Sequence, residues 1–377
     1  MKLTESASAQ VPLIQHAASV GWEILAPAEA LQKRGGEAGL FFYRELQESL
    51  LRLNPGLVTP ENVGGIIQRM ESVPSTIEGN REILEWVRGH RAVYCEAEKR
   101  HRNVVVMDFA DLTKNRFQVT SEWTFRAGNR KANRADVIFL INGVPVAIVE
   151  TKNPKLSDAM ERAIKQLRRY EIETPELITA PQVFNITHLL EYFYGVTWNY
   201  SRKGIFSWKE EAVIIPFPGQ VKADSAVPTL KVAEVSVAYG GTDVPFKNHV
   251  QSFFDRNRFL TMLQDWILFF FKDDELQKTV LRQHQTRAVE KVVNRCADSQ
   301  RNTGLIWHTQ GSGKTFILIT AARIILEDRK RFPGATVMLV VDRNELEGPL
   351  SHHRPRHPHA LAAFVCVTGC RRTIWCT

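Results

Sequence analysis

The sequence predicts an α/β protein in two parts: a mixed sheet flanked by helices, then the opening of a parallel-sheet lobe. Three observations carry this expectation. Beyond about residue 92, short runs rich in Val, Ile and Phe take over from helical spacings, and two of them flank Asn142-Gly143, the strongest short hairpin signal. Helical spacings lie on both sides of that region. Residues 303–341 then read strand, Gly-rich loop, helix, strand, a βαβ unit that calls for parallel pairing.

In order along the chain, residues 8–20 and 40–53 read as helices. In the second, Leu46, Leu50, Leu51 and Leu53 fall at near-helical spacing, and Asn54-Pro55-Gly56 stops it. Ile83–Val87 continues the helical pattern, whereas Val104–Met107 and Phe117–Val119 read as strands. The hairpin pairs 136–141 with 144–150. A helix follows from Ser157 to Glu171, with Ser157 or Asp158 as its cap and Met160, Ala163, Ile164 and Leu167 on one face. Residues 182–186 and 212–217 read as strands, and 218–247, rich in Pro, Gly, Ala and Val, as a connector. Helical patterns resume at 250–271 and 279–295. Thr303–Trp307 is then a strand, Lys314–Glu327 a helix and Val337–Val341 a strand. The division expected is 1–217, a connector with a helix at 218–275, a partial lobe at 276–350, and a basic tail at 351–377.

Hydrophobic residues form 44% and charged residues 24% of the 377, values of an ordinary globular protein with ample core. The formal net charge of +8 favours a polyanionic partner, nucleic acid foremost, though it also suits a basic protein with none. Half of it comes from Arg354, Arg356, Arg371 and Arg372, in a tail without Asp or Glu. Cys366, Cys370 and Cys376 share that tail, while Cys95 and Cys296 are far apart. No disulfide framework results, so a reducing compartment is expected. The N-terminus lacks the basic-then-apolar pattern of a signal peptide, and Ile267–Phe271 is too short to span a bilayer. A cytoplasmic location with no membrane partner is expected.

Chemistry is concentrated in Asp136, Glu150 and Lys152. Two carboxylates supply the hard oxygen ligands that Mg²⁺ prefers, and a neighbouring lysine can neutralise developing charge or position an attacking water in phosphodiester hydrolysis. Glu150 and Lys152, two apart on a strand, face the same side. Register decides whether Asp136 joins them. A strict two-residue Asn142-Gly143 loop pairs 136 with 149 and puts Glu150 on the other face. A three-residue loop, Ile141–Gly143 with a bulge at Gly143, pairs 140 with 144. It sets 136 against 148, with Glu150 a same-face diagonal neighbour. Pro145, which cannot donate a ladder bond, favours an irregular turn over 141–145. Gln166 and Tyr170, one helical turn apart, can face the same way. Arg126, Arg130, Lys131, Arg134, Arg162, Lys165, Arg168 and Arg169 surround the motif. They suit a phosphate backbone or a plain solvated face.

This arrangement resembles the PD-(D/E)xK nucleases that carry a trailing Gln-x-x-x-Tyr. More closely, the chain resembles the endonuclease (R) subunit of type I restriction enzymes. The resemblance runs through Gly21-Trp22, residues 46–57, 108–119, the nuclease core, Asn153-Pro154-Lys155, 206–211 and 256–270. It implies that Asp136 and Glu150 bind Mg²⁺, that Lys152 is the catalytic lysine, and that Gln166 and Tyr170 support the site or contact DNA. Ala135 stands where the family motif usually has proline. An early-helix carboxylate often completes such sites; Glu45 and Glu48 are in reach of that description, and neither is assigned.

The second motif is Gly304 to Thr315, a strand feeding a Gly-rich loop that opens a helix. Thr309, Gln310, Gly311, Ser312 and Gly313 would cradle the phosphates of ATP with backbone N–H groups at the positive helix end. Lys314 would reach the β- and γ-phosphates and Thr315 would hold Mg²⁺. His308 replaces the first glycine of the usual pattern. The segment resembles the P-loop of type I R subunits, which implies an incomplete RecA-like superfamily 2 helicase lobe. Gln285 resembles the adenine-reading glutamine of those helicases, and Val340–Arg343 the next helicase strand, whose end contacts DNA.

After Leu350 the family pattern stops, and no helical or strand period is evident. His352, His353, His357, His359, Cys366 and Cys370 have no ordinary zinc-finger spacing. The sequence reads as truncated or frame-shifted here, without the acidic Walker B motif or a second lobe. Weak nucleotide binding and no translocation are therefore expected. The resemblance implies Mg²⁺-dependent cleavage of double-stranded DNA, coupled in full-length relatives to ATP-driven translocation alongside methylation and specificity subunits. It leaves the DNA target unread, since another subunit reads it. Two other readings differ in class: an inactive relic that binds DNA or ATP at most, and a stand-alone repair nuclease-helicase. Metal-dependent nicking separates the first, and neighbouring genes the second.

Overall fold

The computed structural model describes residues 9–153, 158–209 and 243–338, except 299, 301–302, 307 and 310. It also describes the backbone of two short strands at 365–367 and 372–376. Ser157, Gln310, the expected strand at 212–217, most of the 218–247 connector and Val340–Arg343 lie outside the described residues.

A seven-stranded mixed sheet organises residues 9–209. Its strands are β1 (Glu23–Leu25), β4 (Phe117–Phe125), β5 (Asn133–Ile141), β6 (Val144–Thr151), β7 (Val183–Thr187), β8 (Tyr192–Val196) and β9 (Phe206–Ser207), side by side in that order. β1 with β4 and β6 with β7 are parallel; the other neighbours are antiparallel. The parallel β6–β7 step is bridged by α6 (Ala159–Glu173) and α7 (Pro175–Thr179), the helical crossover such a step needs. β5 and β6 are buried on both faces apart from Arg134, which explains their unbroken apolar runs. Val137, Phe139 and Ile141 pack into the larger core with α1 (Val11–Ala18), α3 (Tyr43–Leu53), α4 (Val63–Glu71) and α5 (Ile77–Val87). Ile138, Leu140 and Ile148 pack with Ala163, Leu167 and Tyr170 of α6.

The hairpin turn is the two-residue Asn142-Gly143, with φ of 52° and 81°, the left-handed pair that Asn-Gly favours. Its tip is buried. Asn142 Oδ1 accepts from Arg116 N at 2.8 Å, and its Nδ2 donates to the Val106 carbonyl at 2.9 Å. The Gly143 carbonyl accepts from Phe42 N at 2.9 Å, at the start of α3. A Cβ on Gly143 would lie 2.5 Å from the Phe42 carbonyl oxygen. Gly143→Ala is therefore expected to destabilise the fold by about 2–3 kcal/mol, from strain and overpacking combined, measurable by chemical denaturation.

Several expectations need correction. Val104–Met107 is not a strand. Its backbone polar groups are taken by side-chain amides instead: Val105 exchanges two hydrogen bonds with Asn54 at 2.8 Å, and Val106 receives Asn142. The helical reading of 250–271 holds through α8 (Asp243–Phe253) and α9 (Arg256–Thr261) and a π-turn over 262–266. It fails at Ile267–Lys272, which is strand β10, paired with β11 (Glu275–Val280). Asp273 and Asp274 turn between them with φ of 53° and 62°, the same turn geometry as Asn142-Gly143. α8 itself begins inside the expected connector. Strands β1, β2 (Ala92–Cys95), β3 (Arg100–Asn103), β8, β9 and β11, and helices α2 (Pro27–Lys33), α4 and α7, were not anticipated.

In the second part, α10 (Gln283–Ala297), β12 (Thr303–Ile306) and α11 (Lys314–Glu327) follow the expected order. Residues 337–338 carry no regular structure. The parallel partner of β12 is β14 (Arg372–Cys376), which also pairs with β13 (Val365–Val367). The tail thus contains strands where no period was legible. Cys95 and Cys296 are buried, and neither is in a disulfide among the described residues. Among the described residues no helix is long and apolar enough to cross a membrane.

Trp22 and Lys278 are centres of two of the contacts that fasten the later segments to the seven-stranded sheet. Trp22 packs edge-on against Phe117, Phe139, Phe254 and Phe259 and donates to the Phe254 carbonyl at 2.8 Å. Lys278 of β11 is fully buried. Its ammonium is within hydrogen-bonding distance of Asn80 Oδ1 at 2.6 Å, the Gln182 carbonyl at 2.8 Å, Gln182 Oε1 at 3.0 Å and Thr197 Oγ1 at 3.1 Å. Burial, with Arg88 nearby, holds its proton affinity well below the usual lysine range. Lys278→Ala leaves those neutral acceptors without a donor and opens a cavity, and is expected to cost about 2–4 kcal/mol. Urea unfolding checks this.

Candidate active site

Asp136 near the start of β5 and Glu150 near the end of β6 are brought level by an irregularity in the hairpin. Ile141 pairs with Val144 and Leu140 with Pro145, but Phe139 pairs with Ala147. Val146 is the extra residue of a β-bulge. The shift by one sets Val137 against Val149 and hence Asp136 opposite Glu150. Neither register weighed from the sequence has this form. The turn is the two-residue one, and the irregularity falls at Val146, beyond the turn. Pro145 is tolerated because β7 does not pair with β6 until Ala147.

The outcome is the convergence expected of the three residues. Lys152 Nζ lies 3.3 Å from Glu150 Oε2 and 3.6 Å from Asp136 Oδ2, and donates to the Thr151 carbonyl at 2.9 Å. Asp136 Oδ2 also accepts from Thr151 N at 2.8 Å and Thr151 Oγ1 at 3.1 Å. Exposure is 8% for Asp136, 0% for Glu150 and 6% for Lys152, so these charges interact with little water between them. Lys152 N donates to the Thr187 carbonyl at 2.9 Å, which extends the β6–β7 ladder to the lysine and fixes its backbone.

Helix α6 covers the site with both residues of the trailing motif. The Tyr170 hydroxyl lies 2.9 Å from Glu150 Oε1 and 2.5 Å from the Arg134 carbonyl, and receives Gln166 Nε2 at 2.6 Å. Burial, and then Asp136, push the Glu150 carboxyl up to about 8, against the pull of Lys152. The single Tyr170 proton accounts for part of the arrangement. It is offered to Glu150 Oε1 and to the Arg134 carbonyl alike, and can be donated to one of them at a time. Two carboxylates facing one ammonium leave the cluster short of positive charge. Among the described residues no three His, Cys, Asp or Glu side chains group as metal ligands. A pair of carboxylates still suits Mg²⁺, which keeps several waters and takes few protein ligands. Glu45 and Glu48 do not complete the set. Glu45 sits beside the Gly143 turn, paired with Lys33 at 2.5 Å. That is seven residues along the strand from Asp136, about 23 Å. Glu48 pairs with Arg44 on the surface.

The basic residues expected to track phosphates are mostly engaged. Arg126 pairs with Glu37, Arg130 with Glu176, Lys131 and Arg169 with Glu173, Arg134 with Glu122, and Arg162 with Asp158.

The Gly-rich loop forms a second cluster. Gly311 and Gly313 have φ of 77° and 80°, and Gly313 caps α11, whose first residues are Lys314 and Thr315. Ser312 N donates to the Thr309 carbonyl at 3.3 Å. Gln285, buried at the start of α10, donates to the carbonyls of Ser312 at 2.7 Å and Gly313 at 3.3 Å, and accepts from Arg282 N. It braces the loop. His308 is held below the ordinary histidine range by burial, His284 and Lys314. The buried Ser312 hydroxyl has no hydrogen-bond partner among the described residues.

The fold and these clusters define a mixed α/β protein with a buried carboxylate pair and lysine at strand ends, followed by a Gly-rich loop at a helix start. The family model described as type I restriction enzyme R protein N terminus matches residues 2–203, more than half of the chain, and the chain belongs to that family. A SWI2/SNF2 ATPase model matches residues 284–359. A putative type I restriction enzyme endonuclease subunit of Methanocaldococcus jannaschii is 29% identical over 270 residues, 69% of this chain and 22% of that protein. The type I restriction enzyme HindI endonuclease subunit of Haemophilus influenzae is 27% identical over 361 residues, 89% of this chain and 31% of that protein. An endonuclease subunit of Staphylococcus aureus is 26% identical over 250 residues, 64% of this chain and 22% of that protein. The chain thus spans between about a fifth and a third of the length of these relatives.

Proposed function

We propose that this chain is the DNA-cutting portion of a type I restriction subunit and hydrolyses phosphodiester bonds at Asp136, Glu150 and Lys152 in a Mg²⁺-dependent reaction. The observation that carries this reading is the meeting of both carboxylates around one ammonium beneath Tyr170. Asp136 and Glu150 would hold the ion, and Thr151 and Tyr170 would orient them. When bound, Mg²⁺ supplies Lewis-acid polarisation of the phosphate and a more acidic water. Lys152 would face the charge that builds on phosphate oxygen in the transition state. Gln166 would keep the Tyr170 hydroxyl aimed at Glu150.

Residues 309–315 would bind ATP. Two left-handed glycines, a helix start and the unpartnered Ser312 hydroxyl suit phosphate oxygens, with Lys314 and Thr315 in the phosphate- and Mg²⁺-binding positions. Gln285 would position the loop. Double-stranded DNA and the methylation and specificity subunits of one restriction system are the proposed partners, in the cytoplasm. Site recognition is assigned to those partners, because phosphate contacts carry no sequence information. Conversion of supercoiled plasmid to open circles by this chain with Mg²⁺, and not with a chelator, tests the proposal. Intact supercoils under both conditions would refute it.

A further inference from the structure

We infer that a basic groove between the 202–209 segment and the start of α10 binds the sugar–phosphate backbone of DNA. The inference rests on the nuclease reading for its biological substrate, but not for its physical basis. The groove has a volume of about 520 Å³, and its lining includes Arg202, Lys203, Lys209, Arg282, His284 and Arg287. No carboxylate is among its described lining residues. This contrasts with the basic residues around Asp136 and Glu150, most of which are paired with carboxylates. Arg202, Lys203 and Lys209 are exposed and have no carboxylate partner among the described residues. Charge concentrated in a concave surface attracts a polyanion more strongly than the same charge spread out.

The walls are built rather than incidental. Gln283 Nε2 donates to the Lys209 carbonyl at 2.6 Å, which joins one wall to the other. Arg282 is held over the Phe206 ring at 5.0 Å. The turn bearing Arg202 and Lys203 follows Asn199, whose Nδ2 donates to the Lys278 carbonyl at 2.7 Å. Gln283 and His284 open a fifteen-residue helix, whose positive end adds to the field. Arg168 of α6 donates to the Tyr200 carbonyl at 3.0 Å, so the helix that carries Gln166 and Tyr170 abuts this wall.

The groove lies beside the Gly-rich loop, since His284 on its wall is 3.2 Å from the Ser312 carbonyl, and its run of basic side chains from two segments suits an extended polyanion such as DNA rather than a mononucleotide. Residues 311–315 do not line the groove. Strand β9, on its wall, is three strands from β6 and Glu150 in the sheet order, about 14 Å. That is less than one turn of duplex, about 34 Å.

The test is fluorescence anisotropy of a labelled 30-base-pair duplex with the full chain, without divalent ions, over a salt series. The triple variant Arg202→Ala, Lys203→Ala, Lys209→Ala should lose at least about 30-fold in affinity near 0.1 M salt. The slope of log affinity against log salt should fall by about 2–3, since each lost phosphate contact removes about 0.9. Arg100→Ala with Arg102→Ala, cations paired with Glu98, should change affinity less than threefold. Circular dichroism checks folding. Unchanged affinity and slope in the triple variant would overturn the inference. So would absence of duplex binding by the wild-type chain, or a loss confined to a fluorescent ATP analogue. If the triple variant loses DNA while the wild-type chain never nicks, the groove stands and the nuclease reading falls.

Discussion

Alanine at Lys152 is expected to slow Mg²⁺-dependent DNA nicking by about 10²–10³-fold, the effect of removing one positioned electrostatic stabiliser from a secluded site. Lys152 Nζ is the only ammonium that the described structure places within 4 Å of Asp136 and Glu150, so no neighbouring cation substitutes for it. The backbone of residue 152 is held by the Thr187 carbonyl, so the strand should persist when the side chain is cut back. Single-turnover nicking of plasmid, with circular dichroism of the variant, checks both halves. Nicking within threefold of wild type would remove Lys152 from the chemistry.

The next largest effect concerns Glu150 and pH. Its carboxyl is raised from 4.5 to about 8 in the folded chain without metal. The folded state therefore holds a proton that the unfolded chain releases near pH 4.5. Stability linked to this group is fully present below that pH and is lost as pH rises towards about 8. Each unit of difference corresponds to about 1.4 kcal/mol at most, so the loss is on the order of a few kcal/mol. Without divalent ions, the wild-type melting temperature should fall between pH 5 and pH 8.5. Glu150→Gln, which cannot ionise, should fall less. Mg²⁺ at pH 8 should raise the wild-type value and leave Glu150→Gln nearly unmoved, because the ion replaces the proton as the compensating charge. Parallel pH curves for the two proteins would contradict the assignment of Glu150 as the strained carboxylate.

Much of this site was legible because local signals coincide there. Asn142-Gly143 marks the turn, alternation places Glu150 and Lys152 on one side, and helical spacing places Gln166 beneath Tyr170. The exact register was not legible. A bulge at Val146 depends on how the buried turn docks against Phe42 and Asn115, and those partners lie far away in sequence. Ile267–Phe271 illustrates another limit. A short apolar run that directly follows a helix carries no period of its own, and the Asp273-Asp274 turn was the overlooked cue. Lys278 was missed because nothing local distinguishes a lysine that will be buried. Its acceptors come from Asn80, Gln182 and Thr197, brought together only by the sheet. The bounds of α11 were readable to the residue, since Gly313 and the apolar run after it mark both loop and helix.

The central claim is that Asp136, Glu150 and Lys152 form one metal-dependent hydrolytic site. Its most direct test is the relaxation of supercoiled plasmid by the 377-residue chain and by its Asp136→Ala variant, each with Mg²⁺ and with chelator. Open circles should form only with the wild-type chain and only with Mg²⁺. Equal conversion by the Asp136→Ala variant, or by either protein in chelator, would place the cutting elsewhere and contradict the account.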